Sequence, residues 1–319
     1  MNNVKAGHKN KQSYSNKRTT GKEQYYTEDY VVDLCMERVI QHIDLKGRKL
    51  LEPCGGTGEF IEGFRKNGVA DEDIVSYDID PLHRLVKTGD YLKTNFDYKH
   101  FVCITNPPFG RANSLSKKFF EHAATHSDYI CFLIPKSWRK WSMQNSLNEY
   151  FHLIDDIDLP MNCFYLPDGT KKEKNVLNTV FQIWERKAYR RKKIVIPDHG
   201  LVKKIMPVSK ITKTVNTVNA KGVTVQKHTK RPDYVEGANF EMIVFGHSCG
   251  KCSDITAPKV KAKTTTMYFK IDREDVKSAL RSIDFSEFYN NVAYVQALSL
   301  QEINYKLNEY FNLQNFTWR

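Results

Sequence analysis

Short apolar runs alternate with stretches of helical period between residues 27 and 184, and this alternation most restricts how the chain can fold. The runs are Lys49-Leu50-Leu51, Ile74-Val75-Ser76-Tyr77, Phe101-Val102-Cys103-Ile104 and Tyr129 to Ile134. Each suits a strand buried on both faces and is too short for a buried helix. Val32, Cys35, Met36, Val39 and Ile43 recur at helical spacing, as do Leu115, Phe119, His122 and Ala123 within Ser114 to Thr125. Thr27, followed by Glu28 and Asp29, is expected to cap the first of these helices. Strands separated by helices specify an α/β sheet that is mainly parallel. Two more strands, at about 153–159 and 176–184, have no comparable helix between them. They are expected to form an antiparallel hairpin at one edge of a mixed sheet.

The composition changes at Arg186-Lys187-Ala188-Tyr189-Arg190-Arg191-Lys192-Lys193. Residues 194–232 are rich in Val, Thr and Lys without a helical period, and 232–319 reads as a compact region. That region is expected to hold a strand at 266–271 and helices near 273–282 and 300–311, a smaller α+β domain. The domain plan is therefore a disordered basic tail over 1–22, a main domain over 23–195, and a basic linker with a C-terminal region over 196–319.

Positive charge is segregated. Residues 1–22 carry six Lys/Arg and no acid, and 186–231 carry fourteen against Asp198 alone. These segments hold +19, so a chain of net charge +12 is net −7 elsewhere. Segregation of this kind is the footprint expected for a polyphosphate partner. No apolar run approaches the roughly 18 residues of a membrane span, and the N-terminus lacks a signal-peptide core. Seven scattered cysteines, several inside apolar runs, fit buried free thiols, so a cytoplasmic, reducing location is expected. Cys249-Gly250-Lys251-Cys252, even with His247, lacks a fourth ligand for a structural zinc and is read as a turn; no metal is expected.

Leu51-Glu52-Pro53-Cys54-Gly55-Gly56-Thr57-Gly58-Glu59-Phe60 follows a strand and opens a helix. Glycines there allow a sharp turn and close approach of the backbone to a ligand. An acid about twenty residues later should reach ribose hydroxyls, and Asp78, followed by Ile79, ends the next strand twenty residues after Gly58. The loop has no phosphate-binding Lys-Ser/Thr ending.

Thr105-Asn106-Pro107-Pro108-Phe109-Gly110 ends the strand over 101–104, the sheet edge where ligands of open α/β sheets sit. The two prolines stiffen the loop. The Asn106 side-chain oxygen and the Pro107 carbonyl are two acceptors for the two N–H groups of an exocyclic amine. They would localise its lone pair for in-line attack without a strong base. Phe109 would stack on the base.

These segments resemble S-adenosylmethionine-dependent adenine-N6 DNA methyltransferases of the NPPF type, with the cofactor loop first and the recognition region last, as in restriction–modification systems and phages. The likeness covers most of residues 24–186 and implies a Rossmann-like class I methyltransferase fold. It implies a cofactor site made by Tyr26, Thr27, Glu52, Pro53, Cys54, Gly56, Gly58, Phe60, Asp78, Ile79, Asp90 and Tyr91. The aromatic and hydroxyl of Tyr26-Thr27 would touch the methionine end, although the family usually has Pro where this chain has Glu28. Asp90-Tyr91 would hold the cofactor's adenine, and Phe164 or Tyr165 would close the far face of the target base. Trp138-Arg139-Lys140-Trp141 and Arg190-Arg191-Lys192-Lys193 suit nucleic-acid contact.

Similar loops occur in enzymes that methylate RNA adenine, guanine N2 and the glutamine amide of proteins. Phe109 and Glu52-Pro53 favour adenine, and the basic segment disfavours a protein substrate. The expected activity is N6 methylation of adenine in DNA with base flipping. An RNA-adenine enzyme is the alternative, and a non-catalytic nucleic-acid-binding module would require degraded loops that this chain does not have.

Overall fold

A computed structural model describes residues 25–161, 163–165, 177–218 and 224–318, with the backbone alone over 209–232 and 317–318. The expected tail over 1–22 lies outside the described residues. Two compact units divide after Arg191, four residues before the boundary expected from composition.

The first unit is built on seven strands: β2 (Leu50–Glu52), β3 (Ile74–Asp78), β4 (Val86–Thr88), β5 (Phe101–Thr105), β6 (Ser127–Pro135), β7 (Phe151–Asp158) and β9 (Thr179–Arg186). Their order across the sheet is β4-β3-β2-β5-β6-β9-β7. The first five are parallel, while β9 runs antiparallel to both β6 and β7. Numbered within the sheet this is 3-2-1-4-5-7-6 with the seventh strand reversed, the class I methyltransferase arrangement. The expected hairpin is present, with β9 inserted inside β7. Helix α1 (Asp29–His42) precedes β2, α2 (Glu59–Lys66) joins β2 to β3, and α3 (Ser114–Ala123) joins β5 to β6. All of β5 is buried, as a strand covered by helices on both faces must be. Phe120 centres the aromatic core, 5.5–5.9 Å from the rings of Trp184, Phe151, Trp138 and Phe132.

Thr27 does not cap α1. The N-cap is Glu28, in extended conformation and without a side-chain cap bond. Thr27 instead belongs to a two-residue strand, β1 (Tyr26–Thr27), paired antiparallel with β8 (Phe164–Tyr165). Strand β4, which is three residues long, had no apolar run to announce it.

The second unit is α+β. Beyond a two-residue strand β10 (Ile194–Val195), strands β11 (Lys203–Ile205), β14 (Phe240–Ile243), β15 (Cys252–Asp254) and β17 (Thr266–Lys270) form an antiparallel sheet in the order β11-β17-β14-β15. Helices α4 (Glu274–Ser282) and α5 (Leu300–Tyr310) share its core through Val276, Leu280, Ile303 and Leu307 with Phe240 and Phe269. Two long strands, β12 (Val208–Val218) and β13 (Thr224–Glu236), form an antiparallel ribbon, with β16 (Lys259–Lys261) paired at its base. Gly250 takes a left-handed φ of +94° in the turn between Cys249 and Cys252. Among the described residues no three His, Cys, Asp or Glu side chains gather to hold a metal, and no helix is long and apolar enough to cross a membrane.

Candidate active site

Strand order reverses between β2 and β5, which both pair with neighbours on opposite sides. Loops leaving the carboxyl ends of these two strands must diverge, and the crevice between them is where ligands of such sheets bind. Glu52 ends β2 and Thr105 ends β5, and Thr105 Oγ1 donates to Glu52 Oε1 at 2.6 Å across that crevice. The same oxygen accepts from the Cys54 backbone N–H at 3.2 Å. Oε2 of Glu52 is buried and has no partner among the described protein atoms. Burial holds the Glu52 carboxyl well above the usual carboxylate range, the two hydrogen bonds opposing it only in part.

The glycine-rich loop is pinned to the end of β3. The Gly55 N–H donates to the Tyr77 carbonyl and the Gly56 N–H to Asp78 Oδ2 at 3.0 Å. A Cβ on Gly56 would stand 2.9 Å from the Tyr26 ring, on a backbone already at φ +45°. Gly58 serves the turn: at φ +94° it is the N-cap of α2, its carbonyl receives the Glu62 N–H, and it does not line the cavity. Asp78 Oδ1 accepts from the Asp80 N–H, so this carboxylate also shapes its own turn.

A cavity of about 330 Å³ lies between the loops, within the range of small-molecule sites. Of the expected cofactor residues it brings together Tyr26, Thr27, Glu52, Pro53, Cys54, Gly56, Phe60, Asp78, Ile79, Asp90 and Tyr91, along with Asn106, Pro107, Pro108 and Phe109. Tyr25, Glu59, Leu115 and Phe119 also line it. Leu115 and Phe119 were legible only as the apolar face of α3, because spacing does not say what a buried face is buried against. Among the described residues the lining carries four acids, Glu52, Glu59, Asp78 and Asp90, and no Lys, Arg or His. Such a site repels phosphate and suits a cationic ligand.

Asp90 and Tyr91 are already engaged. Asp90 Oδ1 caps a turn by accepting from the Leu92 N–H at 3.1 Å, and Oδ2 pairs with Lys93. Tyr91 is 2% exposed, and its hydroxyl meets His126 Nε2 at 2.9 Å. Burial pushes the His126 pKa down to about 3, so that imidazole is neutral at ordinary pH.

The Asn106 loop is tied to both neighbours. The Phe109 carbonyl accepts from the Leu115 and Ser116 N–H groups at the start of α3. On the other side Asn106 Nδ2 donates to the Tyr25 carbonyl at 3.0 Å and to Thr27 Oγ1 at 3.2 Å. The β1·β8 pair thus lies against the loop, secured by the Glu28 N–H on the Cys163 carbonyl. Side chains alternate along β8. Phe164 meets Tyr25 and Phe109 at ring separations of 5.9 and 6.4 Å, and the Tyr165 hydroxyl donates to Glu59 beside the cavity. Phe109 and Phe164 meet edge to face, so a base stacked flat on Phe109 requires Phe164 to move.

Several cations expected to contact nucleic acid are instead used within the fold. Arg139 forms a fork with Asp156 and Asp158, at 2.6–3.1 Å, on the edge strand β7. Its neighbour Trp138 is wholly buried in the aromatic core. Arg191 donates to the Phe151, Gln144 and Leu147 carbonyls with its guanidinium over Trp184, and burial lowers its pKa. Lys140 is half-buried at the start of a short helix, Trp141–Gln144. Arg190 is exposed, over the Tyr150 ring and 3.4 Å from Glu149, and Lys192 and Lys193 are exposed.

No family model matches the sequence, and no curated protein matches it. Solved structures do resemble the fold. A candidate RNA methyltransferase from Pyrococcus horikoshii is 17% identical, with a TM-score of 0.42 over 57% of this chain and 93% of its own. A modification subunit of a candidate type I restriction enzyme from Vibrio vulnificus is 17% identical, with a TM-score of 0.39 over 57% of this chain and 50% of its own. The M protein of the type I restriction enzyme EcoKI is 14% identical, with a TM-score of 0.39 over 52% of this chain and 44% of its own. The fold itself rests on the order and direction of strands in the first unit.

Proposed function

We propose that this chain transfers a methyl group from S-adenosylmethionine to the N6 amine of adenine in DNA. The observation that carries the reading is the meeting of Asn106-Pro107-Pro108-Phe109 with an acid-lined cavity at the switch point of the sheet. The cofactor's amino-acid end bears an ammonium and its reactive centre is a sulfonium, so it is cationic where nucleotides are anionic. The residues fit it: Glu52 Oε2 is buried without a partner and would accept from a cation once the carboxyl ionises against it, four acids stand where a phosphate cradle would, and Gly56 leaves room for the Tyr26 ring at the cavity wall.

When bound, the cofactor supplies an electrophilic methyl group. The protein's part is to orient the acceptor. Asn106 Oδ1 and the Pro107 carbonyl take the two N–H groups of the amine, which holds its lone pair away from the ring and towards the cavity. No group acts as a strong base, since the amine loses a proton only after it has become cationic. Reaching a paired adenine requires flipping it from the duplex. The mobile element would be Phe164, which packs on Phe109 where the base would stack.

DNA is favoured by the β12·β13 ribbon. Its register sets Lys210 opposite Arg231, Ile211 opposite Lys230 and Val215 opposite Lys227. A two-stranded ribbon fits the major groove of B-form DNA and is excluded from the deep, narrow one of A-form RNA. Exposed Arg190, Lys192 and Lys193 precede the ribbon in sequence and would add phosphate contacts.

Labelled S-adenosylmethionine should transfer its methyl group to adenine-containing duplex DNA. Asn106→Ala should lower the rate by at least about 100-fold while cofactor binding persists. Label found in RNA alone would overturn the choice of DNA, and label on neither would overturn the activity.

A further inference from the structure

We propose that Thr27 is a positioning residue for Asn106: its hydroxyl, together with the Tyr25 carbonyl, fixes the amide so that Oδ1 faces the methyl acceptor. The inference rests on the methyl-transfer reading and assigns the Thr27 hydroxyl to the catalytic amide, whereas the family resemblance assigned it to the cofactor.

A primary amide has donors at one end and an acceptor at the other, and a half-turn exchanges them. An exocyclic amine needs the acceptor. If Asn106 presented its NH2 instead, donors would face donors and the nucleophile would be repelled. In this structure the Tyr25 carbonyl, which can only accept, lies 3.0 Å from Asn106 Nδ2, and Thr27 Oγ1 lies 3.2 Å from the same atom. Both N–H groups are therefore taken on the β1 side, and Oδ1 projects from the other edge of the amide. The holding groups are themselves rigid. Thr27 is 3% exposed, pairs in register with Phe164, and is followed by the Glu28 N–H bonded to the Cys163 carbonyl at 2.9 Å. A two-residue strand at the start of the described chain thus sets the orientation of a side chain 79 residues later. A valine would fill the same buried space and supply no acceptor.

The full chain carrying Thr27→Val or Thr27→Ser separates the roles. Thr27→Val should lower kcat about 10- to 100-fold, since a small misplacement of a catalytic group has that effect, with cofactor affinity changed less than about twofold. Thr27→Ser should restore most of the rate. A weakened cofactor affinity with kcat intact would make the hydroxyl a cofactor ligand and overturn the proposal, as would an unchanged kcat. A second readout needs no activity. The Asn106 side-chain amide protons, identified by their loss in Asn106→Asp, should exchange slowly with solvent in the wild type and faster in Thr27→Val. Rapid exchange in the wild type would refute the geometry even if Thr27→Val failed to fold. Slow exchange in a wild type that methylates no adenine would instead locate the failure in the functional reading.

Discussion

Glu52 is the residue where stability and function pull apart. Its carboxyl is 1% exposed, with one oxygen lacking a partner and its pKa raised by burial. A raised carboxyl pKa means that the folded state holds a proton which the unfolded chain has released. Stability contributed by this group is therefore full below the unfolded pKa of about 4.3 and declines as pH rises from there towards the folded value. Glu52→Gln keeps an acceptor for Thr105 and cannot ionise. It should flatten that decline in denaturant titrations across pH and stabilise the ligand-free protein above pH 5. On the proposed function Glu52 gives up that proton when the cationic cofactor binds, so Glu52→Gln should also weaken S-adenosylmethionine binding about 10- to 100-fold, the worth of a hydrogen bond between charged groups. Unchanged affinity in calorimetry would remove Glu52 from the cofactor site. That Glu52 would line a site was legible from its place after an apolar strand. Its missing partner was not, because burial of one oxygen depends on β5 arriving alongside β2.

The elements were legible in proportion to how local their causes are. Strands β2, β3, β5 and β6 are runs of apolar residues, and α3 shows its face by spacing, so each followed from composition and period. The β1·β8 pair did not, since two residues have no period and the partners are 137 or more residues apart. The start of α2 shows a local cause acting with a distant one. Gly58 needs the left-handed backbone, and a Cβ there would stand 2.5–2.9 Å from His83. Gly58→Ala should therefore destabilise the protein by about 1–3 kcal/mol, visible as a lower midpoint in urea with an unchanged slope. A neutral result would mean that His83 and the turn relax together. Helix α5 lies close to where the sequence placed it, and the structure adds a capping box between Ser299 and Glu302, a local signal of four residues that the sequence reading did not use.

For the whole molecule the question is where the positive charge goes. On the proposed function, phosphate is met by the second unit's ribbon and catalysis belongs to the first unit. Replacing Lys210, Lys213, Lys227, Lys230 and Arg231 by Gln should weaken duplex binding. The slope of log affinity against log salt should fall by about 0.9 for each phosphate that is no longer neutralised. Cofactor binding should stay unchanged in the same variant. An unaltered salt slope, measured by anisotropy with labelled DNA, would move the nucleic-acid surface elsewhere.

Sequence alone determined the order of strand, glycine turn, helix, strand and acid, and placed Asn106-Pro107-Pro108-Phe109 after a buried strand. Those features follow from side-chain period, glycine's tolerance of positive φ and proline's fixed φ, all of which act within a few residues. Only the tertiary structure decided which polar groups are already satisfied. Arg139 is taken up by Asp156, 17 residues away, Arg191 by carbonyls 40 to 47 residues away, and the Asn106 amide by Thr27 across 79. A hydrogen bond depends on separation in space, and folding brings together donors and acceptors that no spacing along the chain relates.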